Sequence, residues 1–255
     1  MNNTDFTYLK EYFKTKRNII ITTHRSPDGD ALGSSLALYN ILKENGHNVN
    51  IIVPNNFPYF LDFLPNSSNV LIFDKEIEES INKINHVDTF FFLDFNTFSR
   101  LDKMSEHVSK KDAYVILIDH HQDSKIVPDQ SHCDTNICST AELVYDFIKK
   151  MDWNISKDTA MSLYTGIVTD SGSFKYPTVT SKTHDIVSDL LSFDINHSLI
   201  HKNLFDSNTL SRMRLLGKCI STNFKLFSDY NSAIIYLSKK DLKEYKFIKG
   251  DTEGF

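Results

Sequence analysis

Three apolar runs decide most of what this chain can fold into. Residues 18–23 (NIIITT), 89–95 (TFFFLDF) and 113–118 (AYVILI) carry β-branched or aromatic side chains at successive positions rather than at every second one. A strand apolar on both faces is buried on both, as happens in a parallel sheet covered by helices. Helical text separates the runs. In residues 30–45, Leu32, Ser35, Leu36, Tyr39 and Leu42 fall on helical spacing, and Gly46 stands where a helix stop is expected. Further strands are predicted at 50–53 and 70–73, and helices at 76–85, 98–107, 139–150, 158–169 and 181–191. The 139–150 helix opens on a Ser139-x-x-Glu142 capping box. The text stays helical to residue 220. This alternation predicts an α/β fold, a mainly parallel sheet flanked by helices. After residue 220 two strands (224–227 and 232–237) and a short helix (239–245) predict the start of a second, smaller α/β domain.

Ligands of open parallel sheets gather at the carboxyl ends of the strands. The polar residues obey that geometry. His24, Asp28 and Asp30 follow the first run, Asp94 lies at the end of the second, and Asp119, His120 and His121 follow the third. A fourth segment, Thr169-Asp170-Ser171-Gly172-Ser173-Phe174, follows a predicted helix. Each piece alone has a plainer reading: a turn and helix cap at 27–30, a strand-end acid at Asp94, packed or surface histidines, a loop hydrogen bond at Asp170. Together they bring acids and imidazoles, and no thiolate, to one edge. That set suits Mn²⁺ or Mg²⁺, with Zn²⁺ or Co²⁺ as substitutes. A pair of such ions about 3.5–4 Å apart, held by a bridging carboxylate, activates water and clamps a phosphoryl group.

Composition limits the alternatives. A net charge of −5 argues against coating nucleic acid with a basic surface, but a cation-filled pocket can still take a phosphate. No apolar run approaches the roughly 20 residues that span a bilayer, and the polar, mixed-charge residues 1–17 do not read as a signal peptide. The three cysteines, Cys133, Cys138 and Cys219, form no disulfide framework and fit a reduced, cytoplasmic setting. Cys133 and Cys138 beside His132 lack the two-residue gap and second pair of a zinc site, and read as ordinary thiols.

The motifs resemble those of the DHH phosphoesterases. His24-x3-Asp28-x-Asp30, the strand-end Asp94, Asp119-His120-His121 and Thr169-Asp170 are similar to the family's four motifs, over about residues 18–220. The flanking text at 27–34 (PDGDALGS), 98–101 (FSRL), 139–145 (STAELVY) and 163–174 (LYTGIVTDSGSF) resembles the oligoribonuclease and pAp-phosphatase branch. The resemblance implies one metal on His24, Asp28 and Asp94, and a second on Asp30, Asp94, His120 and Asp170. Asp94 is then the bridging carboxylate. It further implies that Asp119 orients the neighbouring imidazole, that His121 contacts the scissile phosphate or assists the leaving group, and that Arg100 clamps phosphate. Arg100 also reads as a solvated arginine at a helix start.

By this resemblance residues 1–190 are the DHH catalytic domain, 191–220 a helical linker, and 221–255 an incomplete DHHA1-like substrate-binding domain. No glycine-rich segment of the DHHA1 type is present, and residues 250–255 (GDTEGF) resemble text internal to that domain, so the chain reads as cut within it. The implied activity is hydrolysis of short single-stranded RNA oligonucleotides to mononucleotides, and of 3′-phosphoadenosine 5′-phosphate to AMP, with two divalent ions, Mn²⁺ foremost and Mg²⁺ or Co²⁺ as alternatives. Open beside it stand a cyclic dinucleotide, polyphosphate or pyrophosphate substrate, and an inactive metal-binding fragment. Unpaired strand edges in the second-domain remnant would favour a homodimer.

Overall fold

The computed structural model describes residues 4–252. Residues 1–3 and 253–255, the latter part of the GDTEGF text, lie outside the described residues. The first unit is a six-stranded sheet built from β1 (Asn18–Thr22), β2 (Asn48–Val53), β3 (Val70–Ile72), β4 (Thr89–Leu93), β5 (Tyr114–Asp119) and β6 (Gln130–Cys133). Its order is β3-β2-β1-β4-β5-β6 and every neighbouring pair is parallel. The order reverses between β1 and β4, so the connections leaving these two adjacent strands open a crevice at their carboxyl ends.

Alternate residues of the strands feed two cores. Ile19 and Ile21 of β1, Phe91 and Leu93 of β4, and Ile116 and Ile118 of β5 face one side. There they meet α1 (Phe6–Tyr12), α2 (Gly29–Glu44), α5 (Thr140–Lys150), α6 (Lys157–Asp170) and α7 (Ser181–Leu191). Ile20, Phe90, Phe92 and Leu117 face the other, under α3 (Ile77–Asn85), a 3-10 segment Phe98–Met104 and α4 (Ser105–Val108). Phe90, Phe91 and Phe92 are all buried, and each such side chain contributes about 1.5–3 kcal/mol. Double-sided burial is why the β4 run shows no alternation.

Helices α2 and α6 approach closely because both carry glycine at the crossing. A Cβ on Gly33 would lie 2.6 Å from the Ser162 carbonyl oxygen, and one on Gly166 would lie 2.6 Å from the Ala141 Cβ. That approach places the amino end of α2, the amino end of α5 and the carboxyl end of α6 side by side.

Several elements differ from the sequence expectation. Strand β6 and helix α1 were not predicted. The first is a short edge strand of polar text (QSHC), with little apolar patterning to reveal it. The second is capped by Asp5, whose carboxylate accepts the Tyr8 N–H. The predicted helix at 98–107 is a 3-10 segment followed by a single α turn, broken at Asp102, whose φ of 50° is left-handed. The Ser139–Glu142 capping box is half formed. Ser139 accepts the Glu142 N–H, but the Glu142 carboxylate turns to the Cys138 thiol at 2.7 Å.

Beyond α7 the helical stretch divides into α8 (His197–His201), a π-helical turn Lys202–Asp206 and α9 (Leu210–Ser221). An antiparallel hairpin follows, β7 (Phe224–Phe227) and β8 (Ser232–Ile235), then α10 (Lys239–Glu244). The hairpin forms a sheet of its own, separate from the parallel one, and its strands are exposed. Arg212 ties α9 to the chain end by donating to the Gly250 and Asp251 carbonyls at 3.0 and 2.6 Å.

Candidate metal centre

The crevice at the β1–β4 switch collects the acids and imidazoles. His24 leaves β1 with its Nδ1 2.8 Å from the Arg25 carbonyl oxygen. A carbonyl only accepts, so Nδ1 carries a proton and Nε2 is the nitrogen turned to the crevice. That Nε2 lies 3.4 Å from Asp94 Oδ2 and 3.9 Å from Asp28 Oδ2. Asp28 is the N-cap of α2. Its Oδ1 accepts the Asp30 and Ala31 N–H groups at 3.1 and 3.0 Å, leaving Oδ2 for the crevice.

Asp94 follows β4 with φ of 63°, a left-handed conformation costly for a residue with a Cβ. The turn aims its buried carboxylate between two imidazoles. Oδ2 faces His24, and Oδ1 lies 3.5 Å from His120 Nε2. His120 Nε2 is also 3.5 Å from Asp170 Oδ2. Asp170 ends α6, and Asp30 enters from the first turn of α2. Asp30 Oδ2 accepts the Thr140 N–H at 2.7 Å and Oδ1 the Ala141 N–H at 2.9 Å, so the amino end of α5 grips it from behind.

Among the described residues, three groups bring ligand atoms within 4.8 Å of one another: His24, Asp28 and Asp94; Asp30, His120 and Asp170; Asp94, His120 and His121. All six residues that the sequence nominated as metal ligands are in one cluster. Asp94 and His120 each belong to two groups.

The electrostatics are those of a site short of positive charge. Burial raises the Asp30 carboxyl well above its ordinary range, and the Asp94 and Asp170 charges add to this. Asp170 is pushed up to about 6 by burial and by Asp94 and Asp28, against the pull of His120. Burial would raise Asp94 too, but hydrogen bonding and charge from His120 and His24 hold it below the usual carboxylate range. The same acids raise His120 to about 10 and lift His24, overcoming burial in both. Four carboxylates in a largely buried cleft repel unless cations enter. Carboxylate oxygens and imidazole nitrogens turned inward fit hard or borderline divalent ions, which would take the place of the protons these imidazoles hold.

His121 borders this arrangement, with its Nδ1 3.7 Å from Asp94 Oδ1. Its Nδ1 lies 2.7 Å from Asp119 Oδ1, which also accepts the His121 backbone N–H at 3.2 Å. The imidazole that buried Asp119 orients is thus His121. His120 Nδ1 instead faces the Ile137 carbonyl oxygen at 3.4 Å. Arg100 is exposed, and its guanidinium pairs with no acid of the cluster among the described residues. Its carbonyl accepts the Arg25 N–H at 2.7 Å, tying the 3-10 segment to the loop after His24. Cys133 and Cys138 join none of the metal-ligand groups. Burial and the Asp119 charge raise the Cys133 thiol to about 11.

Thr140 escaped the sequence reading. Its hydroxyl donates to Asp94 Oδ1 at 2.9 Å while its backbone N–H holds Asp30. The capping signal at Ser139 marked a helix start, yet nothing local to it showed which carboxylates that start would face.

Known proteins resemble this chain in sequence and fold. Residues 18–167 match the family described as "DHH family, N-terminal domain". The chain is 30% identical over 252 residues to a Streptococcus mutans protein named "Probable bifunctional oligoribonuclease and PAP phosphatase NrnA", covering 98% of this chain and 76% of that one. It is 30% identical over 204 residues to the "Bifunctional oligoribonuclease and PAP phosphatase NrnA" of Thermus thermophilus, covering 80% of this chain and 58% of that one. A crystal structure of an exopolyphosphatase-related protein from Bacteroides fragilis superposes with a TM-score of 0.92 at 39% identity, over 98% of this chain and 74% of that one. With the matched segment running from β1 into α6 and so holding five of the six candidate ligands, the chain belongs to the DHH family.

Proposed function

We propose that this chain hydrolyses short RNA oligonucleotides to mononucleotides and 3′-phosphoadenosine 5′-phosphate to AMP, using two divalent cations, Mn²⁺ foremost. Its class, a hydrolase of phosphoester bonds, follows from the family and from relatives named for oligoribonuclease and phosphatase activities. The two substrates are carried over from those names. The observation that carries the reading is Asp94, whose two oxygens face different imidazoles, His24 and His120. One carboxylate so placed could serve two ions: His24, Asp28 and Asp94 would hold one, and Asp30, Asp94, His120 and Asp170 the other.

Divalent ions held there lower the pKa of water and offset charge on a phosphoryl group. The chain's own residues supply the rest. Asp119 fixes the His121 ring through Nδ1, so Nε2 is the atom that meets the scissile phosphate or assists the leaving oxygen. The exposed guanidinium of Arg100 clamps substrate phosphate.

The domain assignment forms part of the same proposal: residues 1–190 catalytic, 191–220 a linker, 221–255 the opening of a DHHA1-like substrate-binding domain. The chain spans 58–76% of the length of the relatives above. Among the described residues no helix is long and apolar enough to cross a membrane.

The deciding experiment is hydrolysis of 3′-phosphoadenosine 5′-phosphate and of a labelled RNA trimer with Mn²⁺, beside Asp94→Ala. Mononucleotide product from wild type, lost in the variant, is expected. No mononucleotide from either substrate at saturating Mn²⁺ would sink the assignment. The likeness to an exopolyphosphatase-related structure favours polyphosphate as the second reading, and the same assay with polyphosphate releasing orthophosphate separates them.

A further inference from the structure

A cavity of about 720 Å³ begins at the metal centre and runs away from it. Asp28 and Asp170 form its near end. Farther along it is lined by Phe60, Lys175, Tyr176 and Phe205. Aromatic rings are costly to leave in water, yet Tyr176 is 55% exposed and Phe205 45% exposed, both on this cavity. Both are held in place without being buried. Three ring atoms of Tyr176 would lie 2.7–2.9 Å from a Cβ on Gly172, nearly equidistant, so the ring lies face-on over the bare glycine. The ring also lines the cavity. Phe205 sits in the π-helical turn, against the His201 ring at 5.7 Å, and His201 Nε2 is 3.1 Å from the Tyr164 hydroxyl. π-Helical turns frequently mark functional positions because they re-aim side chains.

From this we infer that Tyr176 and Phe205 form a nucleobase subsite, stacking the base of the nucleotide whose phosphate enters the metal centre. The inference rests on the phosphoester-hydrolase reading above. Half-exposed rings at a cavity wall suit a flat aromatic ligand. The neighbouring Lys175 favours a ligand that also carries phosphate over a neutral apolar one. Stacking reads no hydrogen-bond pattern, so the subsite accepts all four bases. Each base then adds binding without selecting sequence, as degradation of mixed short oligonucleotides requires.

The test is calorimetric binding of AMP and of ribose 5-phosphate to the full chain with Mn²⁺. The two probes share sugar and phosphate and differ in the base. Wild type should bind AMP about 10-fold or more tightly. Tyr176→Ala and Phe205→Ala should each remove most of that preference and leave ribose 5-phosphate unchanged, while Tyr176→Phe, which keeps the ring, retains it. Equal affinity for the two probes in wild type, no binding of either, or equal loss of both in the alanine variants would overturn the subsite. RNA trimer hydrolysis is scored separately. Turnover without base preference removes the subsite and keeps the function; base preference without turnover does the reverse.

Discussion

Thr140 donates its hydroxyl to Asp94 Oδ1 at 2.9 Å, and its backbone N–H reaches Asp30 at 2.7 Å. One residue at the start of α5 thus fixes carboxylates that arrive from β4 and α2. Thr140→Val keeps the shape and the N–H and loses only the bond to Asp94. A lost outer contact of this kind typically weakens metal binding about 10–100-fold. We expect Mn²⁺ affinity, measured by calorimetry, to fall within that range, and Thr140→Ser to restore it. Unchanged affinity in the valine variant would show that Asp94 is held by the imidazoles alone.

Asp94→Asn should do more. The amide keeps the volume and the Thr140 contact but removes the charge that His24 and His120 share. Activity should fall by more than the roughly 100-fold ceiling for outer contacts, with little change in thermal stability of the metal-free protein. Retention of most activity would remove Asp94 from the centre of the site.

Gly166→Ala tests the helix crossing. The new Cβ would lie 2.6 Å from the Ala141 Cβ and 2.9 Å from Asp30 Oδ1. Overpacking of this kind costs about 1–3 kcal/mol. Because the displaced atom belongs to a nominated ligand, denaturant unfolding and Mn²⁺ titration should both register the change. A variant of wild-type stability and affinity would mean that α2 and α6 part without cost.

A pH effect is expected far from the crevice, at Asp146. Burial raises this carboxyl, but His132 and Lys150 outweigh it and hold it below the usual range. Lys150 Nζ is 2.7 Å from Asp146 Oδ2. His132 Nε2 is 2.9 Å away, an ion-pair distance without hydrogen-bond alignment. A depressed folded pKa contributes stability above the unfolded value near pH 4, lost as pH falls toward the folded one. The stability gap between wild type and Asp146→Asn should therefore be widest at neutral pH and narrow below about pH 4. A gap that is constant with pH would assign the effect to packing rather than to charge.

The doubly apolar runs at β1, β4 and β5 made the parallel sheet legible, because burial on both faces leaves no alternation to misread. The acids and imidazoles after those runs were legible as one cluster of candidate ligands, since the ends of parallel strands are where a chain can gather them. What stayed hidden depended on contacts between distant segments. Strand β6 is a strand only because β5 pairs with it. Asp102 breaks a helix that its neighbours would permit. Glu142 leaves its capping role for the Cys138 thiol. Thr140 acts on Asp30 and Asp94 across 110 and 46 positions of chain. Local sequence thus determined which elements form and which residue types reach the sheet edge, through burial pattern and propensity. Tertiary structure alone decided which oxygen faces which nitrogen, because that depends on how closely α2, α5 and α6 pack, and glycines at 33 and 166 permit the approach.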